Sequence, residues 1–202
     1  MQNLFHRIRK LKANSFTLVE LLVVISIIGL LAGLAVPAIQ GGLDKAKQQV
    51  DVSNARQVGL ILFSDANDNE GIFSTNGTSA KDIFTNLISR GLLNSAKVLS
   101  GNGYPAATST NNIQDRNIAW GYVANLTTSD DGQIPLILGK GFETLQNSLS
   151  LAGITNGWKQ KGIVVYRVGN SAEFIRAGAG GASAGTVNLS LNTNSLTNKV
   201  YQ

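Results

Sequence analysis

"NSFTLVELLVVISIIGLLAGLAVPAIQ", residues 14–40, is the stretch that decides the fold. Within its apolar run, residues 16–39, the strongly polar side chains are Thr17, Glu20 and Ser26. A helix of these 24 residues rises about 36 Å, which is enough to cross a bilayer. The sequence therefore predicts a membrane-spanning helix, and it raises the question of why Glu20 stands near its start.

Positive charge is concentrated ahead of this segment. The first fifteen residues hold four of the 17 Lys and Arg residues and no acid, which leaves 13 basic against 12 acidic residues elsewhere. Basic residues beside an apolar segment mark the cytoplasmic side of a membrane. We therefore expect the N-terminus in the cytoplasm, and the near-neutral remainder gives no support to a nucleic-acid partner.

Residue types that many active sites require are missing from most of the chain. There is no cysteine, and the one histidine, His6, lies in the basic segment. Disulfides, thiolate nucleophiles and histidine-based triads are thereby excluded from the rest of the protein. A hydrolase built on two carboxylates stays open, but no pair of acids stands out. We expect a protein that is not an enzyme and needs no cofactor.

Glu20 has two explanations. A carboxylate in the hydrocarbon region costs roughly 2.5–3.5 kcal/mol unless something compensates it. Either Glu20 reaches interfacial water, or it has a cationic partner. A cut between Ser15 and Phe16 would create such a partner, since a new α-amino group has a pKa of about 8 and is largely cationic at neutral pH. The pair can form within one helix or between neighbouring helices.

The segment "SFTLVELLVVISIIGLLAGLAVPAI", residues 15–39, resembles the prepilin N-terminus shared by type IV pilins and type II secretion pseudopilins. That family has a short basic leader, a cleavage site, a Phe-Thr-Leu-X-Glu start and a long apolar helix. The resemblance implies prepilin peptidase cleavage after Ser15, where the family usually has glycine, and N-methylation of Phe16. It also implies that Glu20 pairs with a neighbour's Phe16 amine during assembly, and Pro37 stands where many members have proline.

The same resemblance implies partners and a location. These are a homo-oligomeric filament, other pseudopilins or pilins, prepilin peptidase and an inner-membrane assembly platform. The protein would be a single-pass inner-membrane protein with a periplasmic C-terminal domain, later assembled into a periplasmic pseudopilus or a surface filament. Gly29 and Gly33 form a GxxxG pair that allows helices to approach closely. Glycine is also common in membrane helices, so both readings of the pair stay open.

After Gly42 the pattern becomes amphipathic and predicts that the helix continues to about Asp65. Apolar residues near helical spacing are Leu43, Ala46, Val50, Val58, Ile61 and Leu62. "SAKDIFTNLISRG", residues 79–91, predicts a second helix with a capping box from Ser79 and Asp82.

Strand patterns follow in the second half of the chain. "IAWGYVANL", residues 118–126, and "IPLILGK", residues 134–140, predict two strands. "GIVVYRV" and "SAEFIRA", separated by Gly169 and Asn170, predict a hairpin. The fold class is therefore α+β, a pilin-like arrangement of one long helix on an antiparallel sheet of three or four strands.

We predict five segments along the chain. They are a basic leader (1–15), a transmembrane and assembly helix (16–39), an amphipathic extension (40–70), a globular α+β domain (71–176) and a tail rich in Gly, Ala, Ser and Asn (177–202). We expect the tail to be flexible, with "VNLSLNT", residues 187–193, as a candidate edge strand.

Two further groups of residues have competing explanations. Asp65 and Asp68 in "DANDNEG", and Asp130 and Asp131 in "SDDG", offer oxygen ligands suited to calcium, but they lack EF-hand spacing and also suit turns. The aromatic residues Trp120, Tyr122, Trp158 and Tyr166 suit either glycan stacking or the core. Because alternation places Trp120 and Tyr122 on one strand face, we favour the core.

The function predicted from these features is that of a structural subunit of a pilus-like filament. A pseudopilin of a type II secretion system is favoured, because the globular part is small and lacks the cysteine pair of many pilins. Retention of Glu20 argues against the tip subunit. The alternatives are an adhesive type IV pilin and an exported, membrane-anchored binding module, whose N-terminus would be an anchor or a signal peptide cut after Ala35.

Overall fold

The computed structural model describes residues 16–75, 77–178, 185–191 and 199–202. Its helices are α1 (Leu18–Asp68) and α2 (Ala80–Ser89), with short 3-10 turns at Ala96–Leu99, Asp115–Asn117 and Lys159–Lys161. Its strands are β1 (Trp120–Val123), β2 (Pro135–Gly139), β3 (Ser148–Ser150), β4 (Gly162–Arg167), β5 (Ala172–Arg176), β6 (Thr186–Asn188) and β7 (Val200–Tyr201). The chain divides into two compact units, Met1–Asp44 and Lys45–Gln202, and α1 contributes to both.

In the first unit, the part of α1 that the structure describes is exposed up to Leu43. Every residue from Phe16 to Leu43 is exposed, although nearly all of them are apolar. The helix is continuous through Pro37, which cannot donate the usual backbone hydrogen bond to the carbonyl of Gly33. Such a helix is stable in lipid or against other helices, where its apolar side chains leave water.

In the second unit, α1 buries one stripe. Its buried apolar residues are Ala55, Val58, Gly59, Leu62 and Ala66. Two residues of the predicted stripe, Val58 and Leu62, are therefore in the core, whereas Leu43 and Val50 are exposed. Gly59 explains how closely the sheet approaches, since a Cβ there would lie 2.2 Å from the ring of Tyr166.

The main sheet has the strand order β5-β4-β2-β1-β7, and all its pairings are antiparallel. The predicted hairpin is confirmed as β4 and β5, with Asn170 in the left-handed conformation at φ 64°. The α+β class is confirmed, with five strands rather than three or four. Strands β3 and β6 form a separate two-stranded sheet.

The additional strand, β7, comes from the end of the tail. Gln202 helps to hold it, because its Oε1 accepts a hydrogen bond from the Gly141 amide (2.6 Å) and its Nε2 donates to the carbonyl of Phe142. Strand β6 overlaps the predicted edge strand. The expectation of a flexible tail is therefore wrong for the parts that the structure describes.

Local signals are also confirmed. The Asp82 amide donates to Ser79 Oγ (3.2 Å) and the Ser79 amide donates to Asp82 Oδ2 (3.1 Å), which is the predicted capping box of α2. Trp120, Tyr122 and Tyr166 are fully buried, as the core explanation requires. Trp158 is also buried and packs edge-on against Phe174, with ring centroids 5.3 Å apart.

Candidate functional site

The start of α1 is organised by a reciprocal pair of hydrogen bonds. The backbone amide of Thr17 donates to Glu20 Oε2 (2.9 Å), and the Glu20 amide donates to Thr17 Oγ1 (3.2 Å). The Thr17 hydroxyl also donates to the same carboxylate oxygen (2.8 Å). Thr17 and Glu20 thus form a capping box, which satisfies amides that the first helical turn leaves without partners.

The capping box fixes where the Glu20 charge lies. The carboxylate is held at the amino end of the helix, where the backbone dipole favours negative charge. It contacts the amide that directly follows Phe16 in the chain. Its other oxygen, Oε1, accepts no hydrogen bond from the described residues, so this oxygen is open to a further donor.

Phe16 precedes the helix and is 76% exposed. Ser15, on the other side of the expected cleavage site, lies outside the described residues. The sequence indicated Glu20 but not the role of Thr17. The spacing Thr-X-X-Glu ahead of an apolar run was the signal that could have identified it.

Gly29 and Gly33 lie one turn apart on an open surface of α1. A Cβ added at either position would meet nothing within 4 Å. The structure of a single chain therefore leaves this helix face free for a close neighbour, and the assembly role of both residues stays a prediction, as does that of Pro37.

Three of the four calcium candidates are engaged in other ways. Asp65 is buried and accepts from Arg90 Nη1 (2.6 Å) and from Asn69 Nδ2 (3.1 Å). Asp130 accepts from the Thr127 amide (2.6 Å) within a turn. Asp131 likewise accepts from the Gln133 amide (2.9 Å), and Asp68 is an exposed residue at the end of α1.

No three His, Cys, Asp or Glu side chains come together as a metal site in the part of the chain that the structure describes. The helix ends and turns account for these acids, and calcium binding stays an untested prediction.

Sequence reasoning missed Asp51, a second buried carboxylate of α1, which is only 6% exposed. Its Oδ2 accepts from the Trp158 indole (2.8 Å) and from the Asn102 amide (3.0 Å). Burial raises the pKa of Asp51, and these two hydrogen bonds partly oppose the rise. The position could have been noticed, because Asp51 shares the helical stripe of Ala55, Val58 and Leu62.

Comparison with known proteins supports the N-terminal assignment. Residues 10–36 match the family model described as the prokaryotic N-terminal methylation motif. No curated protein and no solved structure matches the chain. Among the described residues, one helix, α1, is long and apolar enough to cross a membrane.

The matched segment contains Phe16, the capping box and the GxxxG pair, and it ends just before Pro37. The motif points to a structural subunit rather than an enzyme, to processing by prepilin peptidase and to assembly with other pilin-type subunits. Over residues 10–36 the chain carries the prepilin-type methylation motif, and this match supports its resemblance to type IV pilins and pseudopilins.

Proposed function

We propose that the protein is a pseudopilin of a type II secretion system, a structural subunit of a periplasmic filament. Prepilin peptidase removes residues 1–15, and Phe16 becomes the N-methylated first residue. The methylation motif supports the processing step. The observation that carries the assembly step is the capping box, which holds the Glu20 carboxylate beside the amide that follows Phe16.

Cleavage changes the electrostatics of the helix start. The new amine of Phe16 is a cation one residue before Thr17, and Glu20 keeps Oε1 available for a hydrogen bond. Before assembly, amine and carboxylate compensate each other within one chain, which lowers the cost of keeping a charge at the membrane. During assembly the Phe16 amine of one subunit pairs with Glu20 of the next.

The exposed part of α1 supplies the remaining contacts of the filament. Its apolar residues need lipid or neighbouring helices. Gly29 and Gly33 let two helix backbones approach. Pro37 leaves the Gly33 carbonyl without its usual helical donor, so the helix is weakest there and can adjust its path in the filament.

Orientation follows from charge. The four basic residues ahead of Phe16 stay in the cytoplasm, so the unit Lys45–Gln202 is periplasmic. The partners are copies of the same chain, other pseudopilins, prepilin peptidase and an inner-membrane assembly platform. The absence of cysteine favours this secretion role over an adhesive pilin, since many adhesive pilins close a surface loop with a disulfide.

Deletion of the gene, with complementation as the control, tests the proposal. We expect exported enzymes to accumulate in the periplasm of the deletion strain, while surface pili and twitching motility stay intact. Loss of pili and motility with normal secretion would instead identify a type IV pilin. Normal behaviour in both assays, with no filaments recovered after overexpression, would support the membrane-anchored binding module.

A further inference from the structure

A small cavity with mostly apolar walls lies beside Asp51 in the unit Lys45–Gln202. Its volume is about 30 Å³, which is room for about two water molecules. It continues into an open groove of about 530 Å³, within the size range of small-molecule sites. Cavity and groove share the walls Asn102, Ile154, Gly157, Trp158 and Lys159.

Asp51 is an incompletely paired acceptor in this cavity. Both of its hydrogen bonds, from Trp158 and from Asn102, go to Oδ2. Among the described residues no donor reaches Oδ1 and no cationic side chain lies within 4 Å of the carboxylate. The carboxylate is only 6% exposed, but Oδ1 is not among the fully buried atoms that lack a partner, so a ligand that enters the cavity can reach it and donate to it.

The charges around the cavity favour neither a simple cation nor a simple anion. Lys140 and Lys159 line it together with Asp51. The two lysines disfavour a cation, and the buried carboxylate disfavours an anion. Asn102, Asn156 and Tyr104 add groups that both donate and accept. A neutral ligand with several hydroxyl groups can donate to Asp51 and accept from the side-chain amides and from the Lys159 ammonium group, since Lys140 is paired with Asp115.

The walls of the groove are held in place before any ligand arrives. Asn102 Nδ2 donates to the carbonyl of Gly157 (3.0 Å). Gly103 and Gly157 have φ +78° and +68°, and a Cβ on Gly103 would lie 2.6 Å from the Gly157 nitrogen. This approach ties the loop after Ser100 to the loop before β4, so little ordering is needed on binding.

We propose that this groove binds a neutral saccharide, with one hydroxyl or hydroxymethyl group inserted against Asp51 and the rest of the sugar in the groove. Ile154, which is partly buried and lines the groove, contacts the C–H face of the ring. Trp120 and Trp158 form the buried wall of the cavity and do not act as stacking platforms.

Intrinsic fluorescence tests the proposal, since both tryptophans of the chain line the cavity. The processed full chain is kept in a zwitterionic detergent without a sugar headgroup, because glycoside detergents would compete. It is titrated with maltohexaose, cellohexaose and chitohexaose, and with polygalacturonate as an anionic comparison. We expect a saturable change in emission with at least one neutral oligosaccharide and no change with the polyanion.

Three variants connect the change to the site. Asp51→Asn keeps acceptor geometry for Trp158 and Asn102, and should raise the apparent Kd about tenfold, because a charged acceptor is replaced by a neutral one. Lys159→Ala should raise it about threefold. Lys97→Ala, an exposed lysine outside the groove, should leave it unchanged. Near-ultraviolet circular dichroism confirms that each variant is folded.

Three results would overturn the proposal. These are no response of the wild-type protein to any neutral oligosaccharide, a response that Asp51→Asn leaves unchanged in a folded protein, and binding of polygalacturonate alone. The last result would identify the groove as a site for anions governed by its lysines.

Discussion

The two parts of α1 invert the usual relation between polarity and burial. From Phe16 to Leu43 apolar side chains are exposed, whereas Asp51 and Asp65, farther along the same helix, are buried. The first part therefore depends on a medium outside the chain. The second part depends on specific partners inside it. One continuous helix serves both because helix formation satisfies the backbone in lipid and in a protein core alike.

The three carboxylates Glu20, Asp51 and Asp65 differ in where their hydrogen-bond partners come from. Glu20 is paired within one helical turn, through Thr17. Asp65 is paired with Arg90, and Asp51 with Trp158, 107 residues away. The partner of the carboxylate in the exposed part comes from the helix itself and, under the proposed function, also from another subunit. The partners in the globular unit come from distant parts of the chain.

Replacing Glu20 should have the largest effect of the changes considered, and the effect should be on filament assembly. With Glu20→Leu we expect membrane insertion to be kept but filament recovery, by shearing and sedimentation, to fall at least about tenfold, because each buried amine loses its partner. Glu70→Gln, which changes an exposed acid just beyond the other end of the helix, is the control. Normal filaments from Glu20→Leu would refute the pairing role.

A methyl group added to a glycine of α1 should affect the two parts of the helix differently, because only the second part packs against the sheet. Gly59→Ala places a Cβ against the ring of Tyr166 and should lower the free energy of unfolding by about 2 kcal/mol. Gly42→Ala meets nothing within 4 Å and should cause no loss, since alanine favours helix. Thermal and urea unfolding of the detergent-solubilised protein measure both. Equal effects would mean that Gly59 does not limit the helix–sheet distance.

Removing Arg90 should expose the dependence of Asp65 on its partner. Arg90→Ala leaves a carboxylate that is 1% exposed with Asn69 alone. We expect a loss of about 1–2 kcal/mol, less than for a fully buried pair because Arg90 is itself 41% exposed. Lys140→Ala, which breaks the looser pair with the exposed Asp115, should cost about 0–0.5 kcal/mol. Thermal and urea unfolding of the two detergent-solubilised variants measures both losses.

The smallest predicted effect is on how the free energy of unfolding depends on pH. The pKa of Asp51 is raised by burial, so the folded state holds its proton more tightly than the unfolded state. Its contribution to stability is therefore largest below the ordinary Asp pKa and is lost as the pH rises through the folded value. Asp51→Asn should remove this decline, as measured by unfolding at a series of pH values.

Asp82 should change the pH dependence of stability in the opposite direction to Asp51. Hydrogen bonds from the Thr78 amide and then from the groups of Ser79 lower the pKa of this exposed carboxyl. Its contribution is present above the ordinary Asp pKa and is lost as the pH falls through the lowered folded value. Asp82→Asn should therefore make the rise of the free energy of unfolding with pH smaller in the acid range. Asp51→Asn should make the same rise larger. Parallel changes in the two variants would contradict the assigned directions.

Features set by neighbouring residues could be predicted from the sequence. The apolar run of α1, the capping box of α2 and the hairpin β4–β5 each depend on patterns a few residues long. The capping box at Thr17 belongs to the same class, and only the identity of its first member was missed.

Features that depend on distant residues could not be predicted. Strand β7 has two residues, too few for alternation to be detected, and it is held by the side chain of Gln202. Nothing near Asp51 in the sequence points to Trp158, so a buried acid looked like one more polar position on a helix.

The filament role is tested most directly by the mass and first residue of the protein recovered from membranes of cells with and without prepilin peptidase. We expect a chain that begins with N-methylated Phe16 when the peptidase is present and the full-length chain when it is absent. A chain that begins at Val36 in both cells would show cleavage by signal peptidase and would contradict the filament role. An uncut chain in both cells would contradict it as well, because Glu20 would then have no amine with which to pair.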